Sequence, residues 1–209
     1  MVMRTHARNE VSAVLVFALL VLVAGCGAPP TSLTELNASY ESALARTAPL
    51  AATLPSGSDT ERRAFGNLQR YFDDMTPASV RKLTAAVYAP EGYLNDTLVG
   101  ISGVRRIEDY FGETATKVRL LKVDFMERAP VGIDWFVRWR MTVAVDGIND
   151  GKPVVTYGVT QLRFDPDGRV LLHKDFWDSG TGLYEQLPVL GSIVGWVRAA
   201  IEPGGELEP

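Results

Sequence analysis

The chain has 209 residues, of which 46% are hydrophobic and 22% are charged, so it is long enough to bury one sizeable core and too short for several. Its formal net charge of -4 leaves no excess of positive charge to neutralise phosphates, which excludes a broad nucleic-acid surface. One cysteine and two histidines are too few for a disulfide framework or for a zinc site built from those residues, and we expect no metal and no cofactor.

Residues 1–25 have the pattern of an export signal. Arg4 and Arg8 precede an uncharged apolar run, residues 11–25, which ends in small residues. In a helix this run would reach about 22 Å at about 1.5 Å per residue, short of the roughly 30 Å hydrocarbon core of a bilayer. The pattern therefore favours a removable signal peptide over a permanent membrane span.

The residues Val23-Ala24-Gly25-Cys26 close this signal and resemble a bacterial lipobox. The resemblance implies that Cys26 is lipid-modified and becomes the first residue of the mature protein. The protein would then be exported and anchored in the cell membrane or the outer membrane, facing the periplasm or the exterior. Acylation would consume the only thiol, and the lipid rather than basic side chains would hold this acidic protein at the membrane.

Residues 26–60 are rich in Ala, Pro, Ser, Thr and Gly, a composition typical of a flexible tether. A second interpretation stays open within it, because Leu33, Leu36, Tyr40 and Leu44 are spaced as on one side of a short helix. The folded domain is expected over residues 61–202, and residues 203–209 are expected to form a disordered tail.

Three helices are predicted at the start of the folded domain. The first carries Phe65 and Tyr71 on its apolar face, and the second begins at Thr76-Pro77, a capping residue followed by a proline in the first turn. The third is a small helix over residues 104–111, where the apolar residues again have helical spacing.

From residue 117 onward the apolar residues recur at every second position, which indicates strands with one polar face. The clearest run lies between Trp135 and Val143. Asp146-Gly147 and Asp165-Pro166-Asp167-Gly168 are turn sequences that connect successive strands. The predicted sheet is an antiparallel meander, and the chain has no glycine-rich phosphate loop of the kind found in nucleotide-binding folds.

This order of helices, short strand, small helix and long meander resembles the nuclear transport factor 2-like superfamily. Tyr93-Leu94-Asn95-Asp96, followed by Gly103 and Ile107, resembles its SnoaL-like branch, as do the stretches 164–170 and 173–178. The likeness covers about residues 63–201. It implies an α+β fold in which a curved antiparallel sheet wraps around the N-terminal helices as a cone, with an extra C-terminal helix at 183–201.

Such a cone implies an apolar cavity, open at one end, that small molecules enter. The inward stripe of strand residues would line it, and dense packing in a filled core is the other interpretation of the same residues. The predicted ligand-binding residues are Phe125, Trp135, Trp139, Met141 and Trp177.

Ketosteroid isomerase-like members of the superfamily use a carboxylate base and a tyrosine that donates to the enolate oxygen. By resemblance, Asp96 takes the position of the base and Tyr71 that of the donor. Two positions depart from the pattern. Thr97 replaces the proline after the base, and Thr160 stands where the family places a second, protonated carboxylic acid.

His173 shares a strand face with Asp175 and Trp177 by the two-residue period, which makes a His–Asp relay a further catalytic candidate. The alternative is a histidine that packs in the core or lies at the surface. The register of the strand decides between them. If Leu172 and Phe176 point into the cone, then His173 and Asp175 lie outside it.

The segment 183–201 is broadly apolar; its helical part carries Ile193, Val194, Trp196, Val197 and Ile201. This segment could cap the cone, pack in a homodimer or rest on the membrane. Because Arg198 is its one basic residue, the sequence favours the first two roles.

The sequence therefore predicts a lipid-anchored envelope protein that binds a small apolar molecule without converting it. The alternative is an isomerase, dehydratase or cyclase in which Asp96 abstracts a proton while Tyr71, Thr160 or His173 supplies hydrogen bonds. A third interpretation is an envelope module that uses the C-terminal helix as a protein interface.

Overall fold

A computed structural model of the chain describes residues 32–201, and within that range it contains six helices and six strands. The helices are α1 (Leu33–Thr47), α2 (Asp59–Asp73), α3 (Pro77–Val87), α4 (Val104–Lys117), α5 (Ser179–Gly182) and α6 (Leu190–Ile201). Short 3-10 turns lie at Ala48–Leu50, Asn149–Gly151 and Tyr184–Gln186. The predicted signal peptide, Cys26 and the predicted tail lie outside the described residues.

The strands form one sheet in the order β2-β1-β6-β5-β4-β3. They are β1 (Tyr88–Asn95), β2 (Gly100–Ser102), β3 (Val118–Val131), β4 (Asp134–Val145), β5 (Val154–Phe164) and β6 (Val170–Trp177). The strands β3 to β6 form the predicted antiparallel meander. β1 instead pairs in parallel with β6, because α3 delivers the chain to the end of the sheet where β6 begins, and Tyr88 lies opposite Val170. The expectation of a wholly antiparallel sheet is corrected to a mixed one.

Helices α3 and α4 begin where the sequence predicts, at Pro77 and Val104, although α4 continues to Lys117 rather than ending at residue 111. Thr76 caps α3 by accepting a hydrogen bond from the backbone N–H of Ser79 at 3.2 Å, and Pro77 occupies the first turn. α2 turns its apolar face toward the sheet and buries Phe65 and Tyr71. These helices supply one wall of the core and the sheet supplies the other.

The closed end of the core is filled by aromatic rings. Phe65 stands edge-on to Trp135 with ring centroids 5.3 Å apart and to Phe164 at 5.4 Å. All three side chains are buried. This end of the sheet is therefore solid, and any cavity must lie farther along β4, β5 and β6.

The segment predicted as a tether contains a helix that packs on the outer face of the sheet. Thr47 in α1 is fully buried, and its hydroxyl accepts a hydrogen bond from the guanidinium of Arg163 at 2.8 Å. The same guanidinium donates to the Leu44 carbonyl at 2.8 Å and pairs with Asp134 at 2.7 Å. A flexible tether does not describe residues 33–47, and the folded unit begins at Leu33 rather than at 61.

The register of β6 decides whether His173 and Asp175 face into the cone, which the sequence left open. Leu172 packs on the outer face against Ala43 of α1, and Phe176 is exposed. His173 and Asp175 therefore face inward, because neighbouring residues of a strand point to opposite faces.

The segment 183–201 does not form one continuous helix. A 3-10 turn at Tyr184–Gln186 is followed by Val189, whose φ of 68° lies in the left-handed region, and α6 begins at the next residue. Between residues 32 and 201, no helix combines the length and the apolar character that crossing a bilayer requires.

Candidate functional site

A cavity of about 270 Å³ lies between the concave face of the sheet and helices α2 and α4. This volume is near the lower end of the range for small-molecule sites, which is roughly 300–1,000 Å³. Its wall is mainly apolar and includes Phe72, Phe111, Leu121, Phe125, Trp139 and Met141. The cavity suits a small apolar molecule.

The two ends of the cavity differ in exposure. Trp139, Thr160 and His173 are buried and form its inner end. Leu98, just after β1, is exposed, and Leu183, after β6, is half-buried. The cavity therefore opens at the end of the sheet where β1 and β6 finish.

A chain of hydrogen bonds crosses the inner end of the cavity. The hydroxyl of Tyr88 lies 2.9 Å from Nδ1 of His173, and Nε2 of His173 lies 3.0 Å from Oδ1 of Asp175. The hydroxyl of Thr160 donates to the same carboxylate oxygen and accepts a hydrogen bond from Nε1 of Trp139 at 2.8 Å. Side chains from the start of β1 and from β4, β5 and β6 thus hold the Asp175 carboxylate in place.

The hydrogen-bond geometry fits one tautomer of His173. With Nε2 donating to the Asp175 carboxylate, Nδ1 accepts from the hydroxyl of Tyr88, whose raised pKa keeps it a donor. Within residues 32–201, Oδ2 of Asp175 has no hydrogen-bond partner, which leaves one acceptor at the cavity wall for a ligand.

Asp96, the residue predicted as the base, lies in the cavity wall with both carboxylate oxygens engaged. Oδ1 accepts the backbone N–H groups of Leu98 and Val99, each at 2.9 Å, and Oδ2 accepts the hydroxyl of Tyr110. Thr97 within this turn has a φ of 80°, and its buried hydroxyl has no partner among the described residues. The carboxylate therefore holds the loop after β1 in shape.

The tyrosine hydroxyls around these carboxylates stay protonated. Burial raises the pKa of Tyr88 well above its usual value. Burial also raises the pKa of Tyr110, and the negative charge of Asp96 raises it further. Both hydroxyls are thus uncharged hydrogen-bond donors over the whole neutral range.

The structure places most of the predicted ligand-binding residues in the cavity wall. Phe125, Trp139, Met141 and Trp177 all line it. Trp135 does not, because it lies at the closed end of the sheet and packs against the helices as part of the core. Trp135 is therefore corrected from a ligand contact to a core residue.

Of the predicted catalytic residues, the structure brings Thr160 and His173 together through Asp175 and leaves Tyr71 outside the cavity. The Tyr71 hydroxyl lies 2.8 Å from that of Thr84, deep in the core, and it does not reach Asp96. The expectation that Tyr71 donates to a ligand is therefore corrected. Its hydroxyl is satisfied within the helical layer instead.

Sequence reasoning did not single out Tyr88 and Tyr110 for this site. Tyr88 is the first residue of β1, at the end of a helical apolar pattern, so nothing local distinguishes it from a core residue. Tyr110 follows two acidic residues on α4, where surface exposure is the default. Among residues 32–201, no group of three His, Cys, Asp or Glu side chains could hold a metal ion.

No protein-family model matches the sequence, and no curated protein matches it. Solved structures do. A hypothetical protein with a ketosteroid isomerase-like fold from Catenulispora acidiphila, in complex with trimethylamine, has a TM-score of 0.51 and 15% identity over 60% of this chain and 93% of its own. TsrD from Streptomyces laurentii has a TM-score of 0.51 and 16% identity over 65% of this chain and 98% of its own.

An LEH-like epoxide hydrolase from M. tuberculosis is similar to the same degree. Its TM-score is 0.50 and its identity 13%, over 68% of this chain and 96% of its own. Identities this low carry the fold and no activity. The chain has the nuclear transport factor 2-like, ketosteroid isomerase-like fold, with a curved six-stranded sheet packed on helices.

Proposed function

We propose that this protein binds a small, mostly apolar molecule that carries one hydrogen-bond donor. One observation carries the proposal: an apolar cavity of about 270 Å³ has, at its buried inner end, an aspartate with one unshared carboxylate oxygen. Apolar walls contribute most of the binding free energy of such a ligand, and a few fixed polar groups orient it. Asp175, positioned by His173 and Thr160, is the orienting group.

The test uses N-phenyl-1-naphthylamine, a neutral fluorescent probe with a single N–H donor. Leu121 lines the cavity from β3, whereas its neighbour Leu120 is exposed on the outside. We expect Leu121→Trp to fill part of the cavity and to weaken probe binding at least tenfold, measured by fluorescence titration. Leu120→Trp adds the same side chain outside the cavity, and we expect binding within twofold of the unmodified protein.

Equal binding of the probe by both variants would place it outside the cavity and contradict the proposal. A circular dichroism melt of each variant checks that the fold is intact. The comparison is matched, because the two positions are adjacent on one strand and receive the same tryptophan.

A second candidate function is proton transfer on the bound molecule, with Asp175 as the base. The hydrogen-bond chain from Tyr88 through His173 to Asp175 favours it, because the imidazole orients the carboxylate and stabilises its charge. Asp96 is less suited to this role, since a turn and Tyr110 already engage both of its oxygens.

The test measures deuterium uptake at the α-carbon of β-tetralone, a small apolar ketone. If Asp175 is the base, the protein accelerates exchange over buffer, and Asp175→Asn lowers the rate at least about 100-fold. We expect Asp96→Asn to retain the rate within about tenfold. A rate that Asp175→Asn leaves unchanged, or one that only Asp96→Asn abolishes, would contradict the assignment.

We further propose that the protein is exported and held at a membrane by a lipid on Cys26. The support is in the sequence: a charged start, the apolar run 11–25 and the lipobox-like Val23–Cys26. An acidic protein needs such an anchor to stay at an anionic membrane.

A further inference from the structure

The helix α6 presents an apolar face to solvent and buries none of its residues. Ile193 is 56% exposed, Trp196 50%, Val197 44% and Ile201 77%. At 100° per residue, these side chains lie within an arc of about 140° on one side of the helix. The one charged residue of α6, Arg198, is paired with Glu185 at 3.2 Å, so nothing in the helix itself offsets this apolar face.

The segment that carries α6 lies at the open end of the cavity. Gly182 and Leu183, which precede it, line the cavity. Residues 185–192 form a second, shallow groove with the β4–β5 connection at 147–150, and Ile148 of that connection also lines the cavity. The exposed helix is therefore next to the opening through which a ligand enters.

The N-terminal end of α1 lies at this same end of the sheet. The hydroxyl of Ser39 lies 2.8 Å from that of Tyr93, and Thr47 near the other end of α1 contacts Arg163. Arg163, the partner of Thr47, lies opposite Leu172 in β6. Leu36, one turn before Ser39, instead lies beside Gly100, which pairs with Asn95 at the end of β1. α1 thus runs antiparallel to β6, and the chain before Leu33 departs from the end where β6 finishes.

Only a short stretch of the chain separates Leu33 from the proposed lipid on Cys26. Residues 27–32 are the six residues between Cys26 and α1. At about 3.6 Å per residue, the seven steps from Cys26 to Leu33 span at most about 25 Å even when fully extended. A lipid on Cys26 would therefore hold the open end of the cavity close to the bilayer. A flexible tether that extended to residue 60 would not impose this distance.

We propose that the apolar face of α6 lies in the surface of the lipid bilayer, so that the cavity opens toward the membrane and takes its ligand from it. The inference rests on the proposed lipid anchor and ligand cavity. The ligand class that follows is an apolar molecule that partitions into membranes. The face of α6 supplies a second, apolar attachment beside the lipid, and this attachment needs no basic side chains.

The experiment uses the lipidated mature protein, which begins at Cys26, in phosphatidylcholine vesicles with a fraction of the lipid brominated in its acyl chains as a tryptophan quencher. Trp196 is the reporter, and Trp196→Phe identifies its share of the emission. We expect brominated lipid to quench that share by half or more. Ile193→Glu places a charge on the face and should reduce this quenching at least twofold while the protein still floats with the vesicles through its lipid.

Val131→Glu is the matched control. Val131 is an exposed apolar residue, 62% accessible, in the β3–β4 hairpin at the opposite end of the sheet. It should leave the quenching unchanged. Neither substitution is at a buried site, so both variants should keep their thermal stability.

The outcomes separate the inference from the proposals on which it rests. If mass spectrometry finds no acyl group on Cys26, the lipid anchor is wrong. If the protein floats but Trp196 is not quenched, the proposed contact of α6 with the bilayer is wrong. A dimer in solution would then indicate that a second copy of the chain covers α6. Binding of N-phenyl-1-naphthylamine in the cavity is measured independently of either result.

Discussion

Replacing Arg163 by methionine is expected to lower the free energy of unfolding by about 3–5 kcal/mol. Arg163 and Asp134 are a buried pair with side-chain exposures of 5% and 14%, joined at 2.7 Å. Without the guanidinium, the Asp134 carboxylate stays buried without its counter-charge, and the Leu44 carbonyl and Thr47 hydroxyl lose their donor. Urea denaturation followed by circular dichroism measures the change.

Arg138→Met is the control for this prediction. Arg138 forms a two-pronged pair with Glu127 on the exposed face of the sheet, with distances of 2.7 and 2.9 Å, and Arg138 holds the pKa of Glu127 down at about 2. Water solvates both groups when the pair is broken, so the loss of stability should be small beside that of Arg163→Met. Equal losses in the two variants would contradict the role assigned to Arg163.

The free energy of unfolding is expected to fall steeply above pH 10. Burial raises the pKa values of Tyr71, Tyr88 and Tyr110 in the folded protein. Below pH 10 these tyrosines are protonated in both states. Above it the unfolded chain loses protons that the folded chain keeps, so each tyrosine removes up to about 1.4 kcal/mol of stability per pH unit. Three such groups together reach about 4 kcal/mol per unit.

Denaturant titrations at pH 9, 10, 11 and 12 measure this slope. Tyr71→Phe removes one of these groups and should lower the slope by roughly a quarter to a third, because burial also raises the pKa of Tyr40. Tyr157→Phe, at an exposed position of β5, should leave it as it is, because that hydroxyl reaches solvent in both states. Stability that stays level between pH 10 and pH 12 would contradict the buried, neutral state assigned to the tyrosines.

Local signals predicted the helices and the meander well. The cap at Thr76-Pro77 marks the first residue of α3, and the two-residue period from Trp135 to Val143 falls within β4. These features depend on backbone hydrogen bonding and on which side of one element is apolar, and a short stretch of sequence contains both.

The segment before the domain was open to two interpretations, and α1 confirms the helical spacing of Leu33, Leu36, Tyr40 and Leu44 rather than the tether. Its composition resembles a linker, and the residues of α1 that are buried most completely are Ala43 and Thr47, which are small. Among the contacts that hold α1 on the sheet, the most buried polar one comes from Arg163, a residue more than a hundred positions away that looks like any solvated strand arginine. A long-range buried ion pair leaves no trace in the local pattern.

The candidate site was likewise only partly predictable from the sequence. The alternation of residues already placed His173, Asp175 and Trp177 on one strand face, and the inward stripe predicted Trp139 and Met141 at the cavity. Which face pointed inward depended on α1 covering Leu172 from outside. The choice of carboxylate depended on partners from other elements, since Tyr110 and a turn occupy Asp96 while Asp175 keeps an unshared oxygen.

By itself the sequence determined the α+β class and the order of its elements, because both follow from the periodicity of contiguous residues. The export signal stays a proposal from the composition of residues 1–25. Only the tertiary structure decided that a cavity remains, which end of it is open and which of the two aspartates in its wall keeps an unshared carboxylate oxygen. Those properties arise from packing between elements far apart in the chain, where side-chain volume and hydrogen-bond partners meet, and no local pattern encodes them.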